Sequence, residues 1–206
     1  MTEAAQPQSE RQRFNAQDLM RGLESLVPRV GPDGKEKGNR AALAALRRGL
    51  GKQPGEAPEM FPVLLPLLPE AGLSRWDERV AYLVASLFAR YPDAPPWPES
   101  SSERWQRNLG ASLRQLAAQT DSEGPERRFI ALLNSDEDDL PHHLRGIVSL
   151  LESAKLPVPM DWVRLIWDLR GWNTPERTIQ KDWAGAFWGG RRLQETTEEP
   201  AAENAD

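Results

Sequence analysis

Leu144-Arg145-Gly146-Ile147-Val148-Ser149-Leu150-Leu151, Trp162-Val163-Arg164-Leu165-Ile166-Trp167-Asp168-Leu169 and Ile179-Gln180-Lys181-Asp182-Trp183-Ala184-Gly185-Ala186-Phe187 decide the fold. In each run apolar residues return at i, i+3 or i+4, and i+7, the spacing that one face of a helix requires. Leu144, Ile147, Val148 and Leu151 make the first stripe, Trp162, Leu165, Ile166 and Leu169 the second, and Ile179, Trp183, Ala186 and Phe187 the third. The block from Pro125 to Trp188 therefore predicts a helical bundle with these stripes turned inward. Its punctuation fits: Pro141 suits a first helical position, and Pro157 and Pro159 break the next junction. Thr174-Pro175 reads as a cap followed by a helix-compatible proline, and Gly189-Gly190 as the stop of the last helix.

Upstream, the same period continues. Asn15 can cap a helix carrying Leu19, Leu23, Leu26 and Val27, ended by Pro28 and followed by the turn Gly31-Pro32-Asp33-Gly34. Gly34-Lys35 is no phosphate loop, because no strand precedes it and Glu36 stands where Ser or Thr would bind magnesium. Asn39 caps a helix with Leu43, Leu46 and Leu50 as its stripe, and the prolines from Pro62 to Pro69 allow only short helical turns. Ser74-Arg75-Trp76-Asp77 opens a long helix with Val80, Leu83, Val84, Leu87 and Phe88 inside. Another helix resumes at Glu103 with Trp105, Leu109, Leu113 and Leu116 as its apolar face. The expectation is an all-α protein of two packed helical units forming a multi-helix bundle. Its parts are a disordered stretch 1–13, an amino-terminal helical unit 14–91, a Pro-rich linker 92–101, a carboxy-terminal bundle 102–190 and a disordered acidic tail 191–206.

Composition narrows the function. No run approaches the ~20 apolar residues of a membrane span, and Met1 to Arg13 is too polar for a secretory signal. The absence of cysteine excludes a disulfide scaffold and a Cys-based zinc site, and fits a cytoplasmic protein. The net charge is −5, but Glu195, Glu198, Glu199, Glu203 and Asp206 lie beyond Leu193 with no base among them. Without them the chain is neutral, and its cations are 21 Arg to 5 Lys. Arginine makes planar, multidentate phosphate contacts, although a GC-rich genome or thermal adaptation would raise its share as well.

Candidate contacts follow from where those cations fall. Lys37 to Gly55 holds Lys37, Arg40, Arg47, Arg48 and Lys52 and no acid. On a helix Arg40, Arg47 and Arg48 form a cationic shoulder over small Ala44, open to a phosphate backbone; a solvated face would look the same. Arg107 and Arg114, spaced i, i+7, share a second face. Arg127 and Arg128 fall in a helix's first turn, where the dipole disfavours cations and an anionic partner would favour them; Glu123 and Glu126 can also offset the cost. Asp136-Glu137-Asp138-Asp139 precedes a helix opened by Pro141, so capping explains it better than metal binding. His142 and His143 point ~100° apart on a helix and cannot jointly grip one metal. No nucleophile elbow, zinc-binding helix or glycine-rich cofactor loop is present. Trp167, Trp172 and Trp188 lie off or beyond the stripes and suit stacking on bases or a protein interface, although packing between helices is the more common outcome for any one of them.

Several stretches resemble one family. They are Arg40-Ala41-Ala42-Leu43-Ala44-Ala45-Leu46-Arg47-Arg48, Asn108-Leu109-Gly110, Glu126-Arg127-Arg128-Phe129-Ile130-Ala131-Leu132-Leu133, Leu144-Arg145, Pro159-Met160-Asp161-Trp162 and Asp182-Trp183-Ala184. In this order they resemble CasB, the small subunit of the type I-E Cascade, the RNA-guided surveillance complex of CRISPR immunity. The resemblance covers roughly Asn39 to Trp188. It implies an all-helical, two-part subunit without catalysis or cofactor, paired with its own copy beside CasC-type backbone subunits and a CasA-type large subunit. It also implies a basic surface turned to the hybrid of CRISPR RNA and target DNA and to the displaced strand. The contacting residues so expected are Lys37, Arg40, Arg47, Arg48, Arg107, Arg114, Arg127, Arg128 and Arg145. Two departures stand out: Gly146 follows Arg145 where family members often have a second arginine, and the acidic tail is longer. A helical adaptor binding protein alone, through Trp167, Trp172 and Trp188, is the rival expectation.

Overall fold

A computed structural model describes residues 14–70, 73–98 and 107–195, the last six as backbone. The chain divides into two compact units, Met1–Pro92 and Asp93–Asp206. The disorder expected for 1–13 and for 196–206 lies outside the described residues.

In the first unit, α1 (Ala16–Glu24) starts where the Asn15 side chain accepts the Gln17 N–H, and buries Leu19, Met20 and Leu23. Two strands that helical periodicity did not predict follow, β1 (Arg29–Val30) and β2 (Glu36–Lys37), paired antiparallel. Each has two exposed residues and so no alternation to read. The tie is local: Gly31 N–H donates to the Lys35 carbonyl at 2.9 Å, and Gly34 turns the chain at φ +73°. This hairpin returns Asn39 to Leu26, whose carbonyl accepts the Asn39 N–H at 2.8 Å, while the Asn39 side chain caps α2 (Arg40–Arg47). Such a cap is worth ~1 kcal/mol. Leu43 and Leu46 are buried between α2 and its neighbours, the short α3 (Phe61–Leu64) and the long α4 (Arg75–Arg90). Ser74 caps α4, and Val80, Val84, Leu87 and Phe88 are all buried.

The second unit contains α5 (Leu109–Ala117), α6 (Gly124–Asn134), α7 (Leu140–Glu152), α8 (Trp162–Arg170) and α9 (Thr178–Glu195). The four residues of the first stripe are fully buried, Trp162, Leu165, Ile166 and Leu169 are buried, and so are Trp183, Ala186 and Phe187. Ile179 is half-buried. Helix α5 crosses α9 at Gly110: a Cβ there would lie 2.1 Å from the Trp183 carbonyl oxygen. The Asn108 side chain fastens the crossing, its Oδ1 capping α5 and its Nδ2 donating to the Asp182 carbonyl at 3.2 Å. The small residue of the Leu-Gly pair thus admits a helix backbone.

Three boundaries differ from expectation. Arg107 and Asn108 precede α5, which begins at Leu109 because Asn108 is its cap; Arg107 and Arg114 therefore do not share a helical face. Helix α9 begins at Thr178, not after Thr174-Pro175. Arg177, at φ +52°, closes the intervening turn, and its guanidinium donates to the Leu133 carbonyl. Gly189-Gly190 does not stop α9, which continues to Glu195. Glycine costs only ~1 kcal/mol within a helix and ends one chiefly when it takes a left-handed conformation, and neither residue has positive φ. The tail expected from residue 191 thus begins as helix.

Candidate nucleic-acid interface

The α2 shoulder forms as the spacing requires, with Arg40, Arg47 and Arg48 exposed beside exposed Ala44. Its charges are not alone, however. Arg40 Nη2 lies 2.8 Å from Glu36 Oε1 and Arg48 Nη1 3.0 Å from Glu59 Oε1. Both acids lie outside the acid-free run, and the fold brings them back onto it. The Glu59 carboxyl is held below its ordinary range, first by its own backbone N–H and with further help from Arg48 and Lys52, against an opposing effect of desolvation. Arg47 Nε donates to the Ala89 carbonyl at 2.6 Å, satisfying a carbonyl in the last turn of α4, where a cation is also favourable to the dipole. Arg47 is thereby positioned by α4. Lys37, in β2, is exposed.

In the second unit, Arg127 and Arg128 project from α6 and Arg145 from α7, all three exposed. Together with half-exposed Arg114 on α5, they have no ion-pair partner among the described residues. Arg128 joins Lys155, which sequence reasoning missed, in the lining of an open groove of about 250 Å³. Leu116, Pro125 and Leu150 contribute apolar lining, and no carboxylate among the described residues lines it. Lys155 carries no local signal: a single lysine after Ala154 reads as an ordinary loop residue. The groove's two rims are fastened by Gln119, whose Nε2 donates to the Leu156 carbonyl at 3.1 Å while its Oε1 accepts the Leu156 N–H at 2.9 Å.

The three tryptophans off the stripes divide between packing and surface. Trp172 is buried at 2 % exposure, its ring against Trp183 and its Nε1 donating to the Ser135 carbonyl at 3.3 Å. Trp188 is half-buried against Phe129 and Phe187 and donates to Glu126 Oε1 at 2.8 Å. Both serve packing. Trp167 remains 43 % exposed with the Arg170 guanidinium 4.8 Å from its ring centroid.

A buried carboxyl ties α8 to α9. Asp168, on α8, is 2 % exposed and accepts from Trp183 Nε1 at 2.7 Å and Arg164 Nε at 2.6 Å. Burial pushes its carboxyl above the ordinary range, and the two donors oppose that rise. The acidic run does not cap α7 through a side chain, since Asp139 at the N-cap accepts no helix N–H; instead Asp136 Oδ1 accepts the N–H groups of Asp138 and Asp139 in the turn before the helix. The rings of His142 and His143 meet edge to face, 5.5 Å apart. Among the described residues no group of three or more His, Asp or Glu is placed to hold a metal, and no helix is long and apolar enough to cross a membrane.

Comparison with known proteins bears on these surfaces. The family model for CRISPR-associated protein Cse2 matches residues 42–188. A CRISPR-associated protein Cse2 of Thermus thermophilus is 33 % identical over 155 residues, which are 75 % of this chain and 83 % of that one. The crystal structure of M. ruber CasB superposes with a TM-score of 0.65 at 33 % identity, covering 89 % of this chain and 97 % of the other. A chain of a CRISPR RNA-guided surveillance complex matches with a TM-score of 0.64 at 28 % identity over the same shares. With the family pattern running from residue 42 to 188 and the fold shared over 89 % of the chain, this chain belongs to the CRISPR-associated Cse2 (CasB) family.

Proposed function

We propose that the protein is the non-catalytic small subunit of a type I-E Cascade complex. In this reading it steadies the hybrid of guide RNA and target DNA, and the displaced strand, by binding phosphates without regard to sequence. It works beside a CasA-type large subunit, CasC-type backbone subunits and a second copy of itself. The observation that carries the reading is the set of exposed arginines on the second unit, Arg127, Arg128 and Arg145, which have no carboxylate partner among the described residues of a chain with net charge −5. Cations left unpaired in an acidic protein favour an anionic partner. Lys37, Arg40, Arg47, Arg48, Arg107 and Arg114 extend the proposed contact set.

The test is target binding by the assembled complex across a salt series. Removing one phosphate-binding cation should lower the slope of log K against log salt by ~0.7 on a single strand. Arg127→Ala/Arg128→Ala should therefore weaken binding equally on all matched targets, after co-purification shows that the variant still assembles. An unchanged slope and affinity in the assembled variant would refute the strand-path role. One observation favours a second reading, a protein-only adaptor: Trp167 is exposed under a stacked arginine, an arrangement common at protein interfaces. Loss of assembly without loss of strand binding in Trp167→Ala would identify it as a protein anchor.

A further inference from the structure

The groove between the ends of α5 and α7 and the start of α6 is lined by apolar and uncharged polar side chains and by two cations, Arg128 and Lys155, neither with a carboxylate partner among the described residues. Its occupant should therefore combine negative charge with small apolar side chains. The chain itself contains such a segment, Glu198-Glu199-Pro200-Ala201-Ala202-Glu203. It is also tethered nearby. Trp188 of α9 donates to Glu126 at 2.8 Å, and Glu126 follows Pro125 in the groove lining. From Trp188 to Glu195, α9 advances ~10 Å, and the five residues from there to Pro200 can reach up to a further ~17 Å. The tether suffices.

We propose that residues 198–203 bind this groove, with Glu198, Glu199 and Glu203 paired to Arg128 and Lys155 and Pro200-Ala201-Ala202 against Leu116, Pro125 and Leu150. The acidic segment then acts as a built-in occupant. It holds two cations that have no carboxylate partner among the described residues, and any other anion must displace it. Effective concentrations in the millimolar range allow this even where the separate segment would bind weakly.

Because the chain has no cysteine, disulfide trapping reads the contact directly. The full chain carrying Ala202→Cys with Ser153→Cys, in the groove lining, is oxidised at low salt and compared with Ala202→Cys paired with Asn173→Cys. Asn173 is exposed and hydrogen-bonded to Glu137, near the opposite end of α7. The expected result is faster trapping at position 153 than at 173. Trapping at 153 should slow about tenfold in Glu198→Gln/Glu199→Gln/Glu203→Gln, in Arg128→Gln/Lys155→Gln, and at about 0.5 M salt, where exposed ion pairs are screened. Circular dichroism checks that each variant is folded. Equal rates at the two positions, or a rate at 153 indifferent to all three changes, would overturn the proposal. No nucleic acid enters this experiment, so its outcome is independent of the strand-path reading.

Discussion

Replacing Gly110 by alanine should be far more damaging than its one methyl group suggests. The added Cβ would lie 2.1 Å from the Trp183 carbonyl oxygen, 2.8 Å from its carbonyl carbon and 3.0 Å from its Cα. A tolerable carbon–oxygen contact is about 3.3 Å, so the α5 and α9 backbones must separate by roughly 1 Å. Neither side can rotate away, because the obstructing atoms are backbone. Separation would also stretch the Asn108 Nδ2 bond to the Asp182 carbonyl, already 3.2 Å long. Overpacking of this kind costs about 1–3 kcal/mol, and the rigid obstruction puts Gly110→Ala at the upper end. Better helix propensity returns at most about 1 kcal/mol. The net loss of about 2 kcal/mol should lower the thermal midpoint of the second unit by ~10 °C, measured by circular dichroism. Gly146→Ala is the internal comparison: its Cβ meets nothing within 4 Å, so the variant should gain about 0.5–1 kcal/mol from propensity alone. A Gly110→Ala midpoint equal to wild type would refute the close-crossing argument.

Asp168 makes stability depend on pH. Its carboxyl is raised in the folded state, so its contribution is fully present below its unfolded value and is lost as pH rises through the folded one. The difference in thermal midpoint between wild type and Asp168→Asn should therefore shift in favour of the asparagine variant from pH 4 to pH 7. Asp168→Ala leaves the Trp183 N–H without its acceptor and should cost about 1–3 kcal/mol at either pH. Glu36→Gln/Glu59→Gln frees Arg40 and Arg48, and should steepen the salt dependence of nucleic-acid binding without moving the thermal midpoint, as exposed pairs contribute little to stability. His142→Ala/His143→Ala should leave target binding and metal content unchanged; stoichiometric zinc or manganese that disappears in the variant would reverse that expectation. Removing residues 196–206 should preserve the helical circular dichroism spectrum and strengthen low-salt binding to oligo(dT), which a titration with wild type alongside checks.

The helices were legible because their signals are local. Asn15, Asn39 and Ser74 each accept an N–H from two or three residues onward, and the apolar stripes repeat within a dozen positions. What escaped is nonlocal or too short. The hairpin has two residues per strand, and Trp172 belongs to no local stripe, so its partners Ser135 and Trp183 appear only in the fold. The arginine shoulder illustrates the limit for the site. Its positions on α2 follow from helical period, but its partners do not: Glu59 lies 11 residues from Arg48, and the Ala89 carbonyl lies 42 residues from Arg47. Lys155 likewise gains meaning only when Arg128 is brought to the same groove.

Gln119 has a consequence for the groove's motions. Its side-chain amide gives and takes one hydrogen bond each with Leu156, as a residue of a neighbouring strand would, although neither lies in a sheet. The Leu156 side chain is 65 % exposed, yet its amide proton is held by a partner 37 residues away. That proton should exchange with solvent slowly for a loop, and its exchange should report the moments when the α5–α6 and α7–α8 connections part. Two surface loops thus breathe as one, coupled through a single glutamine side chain.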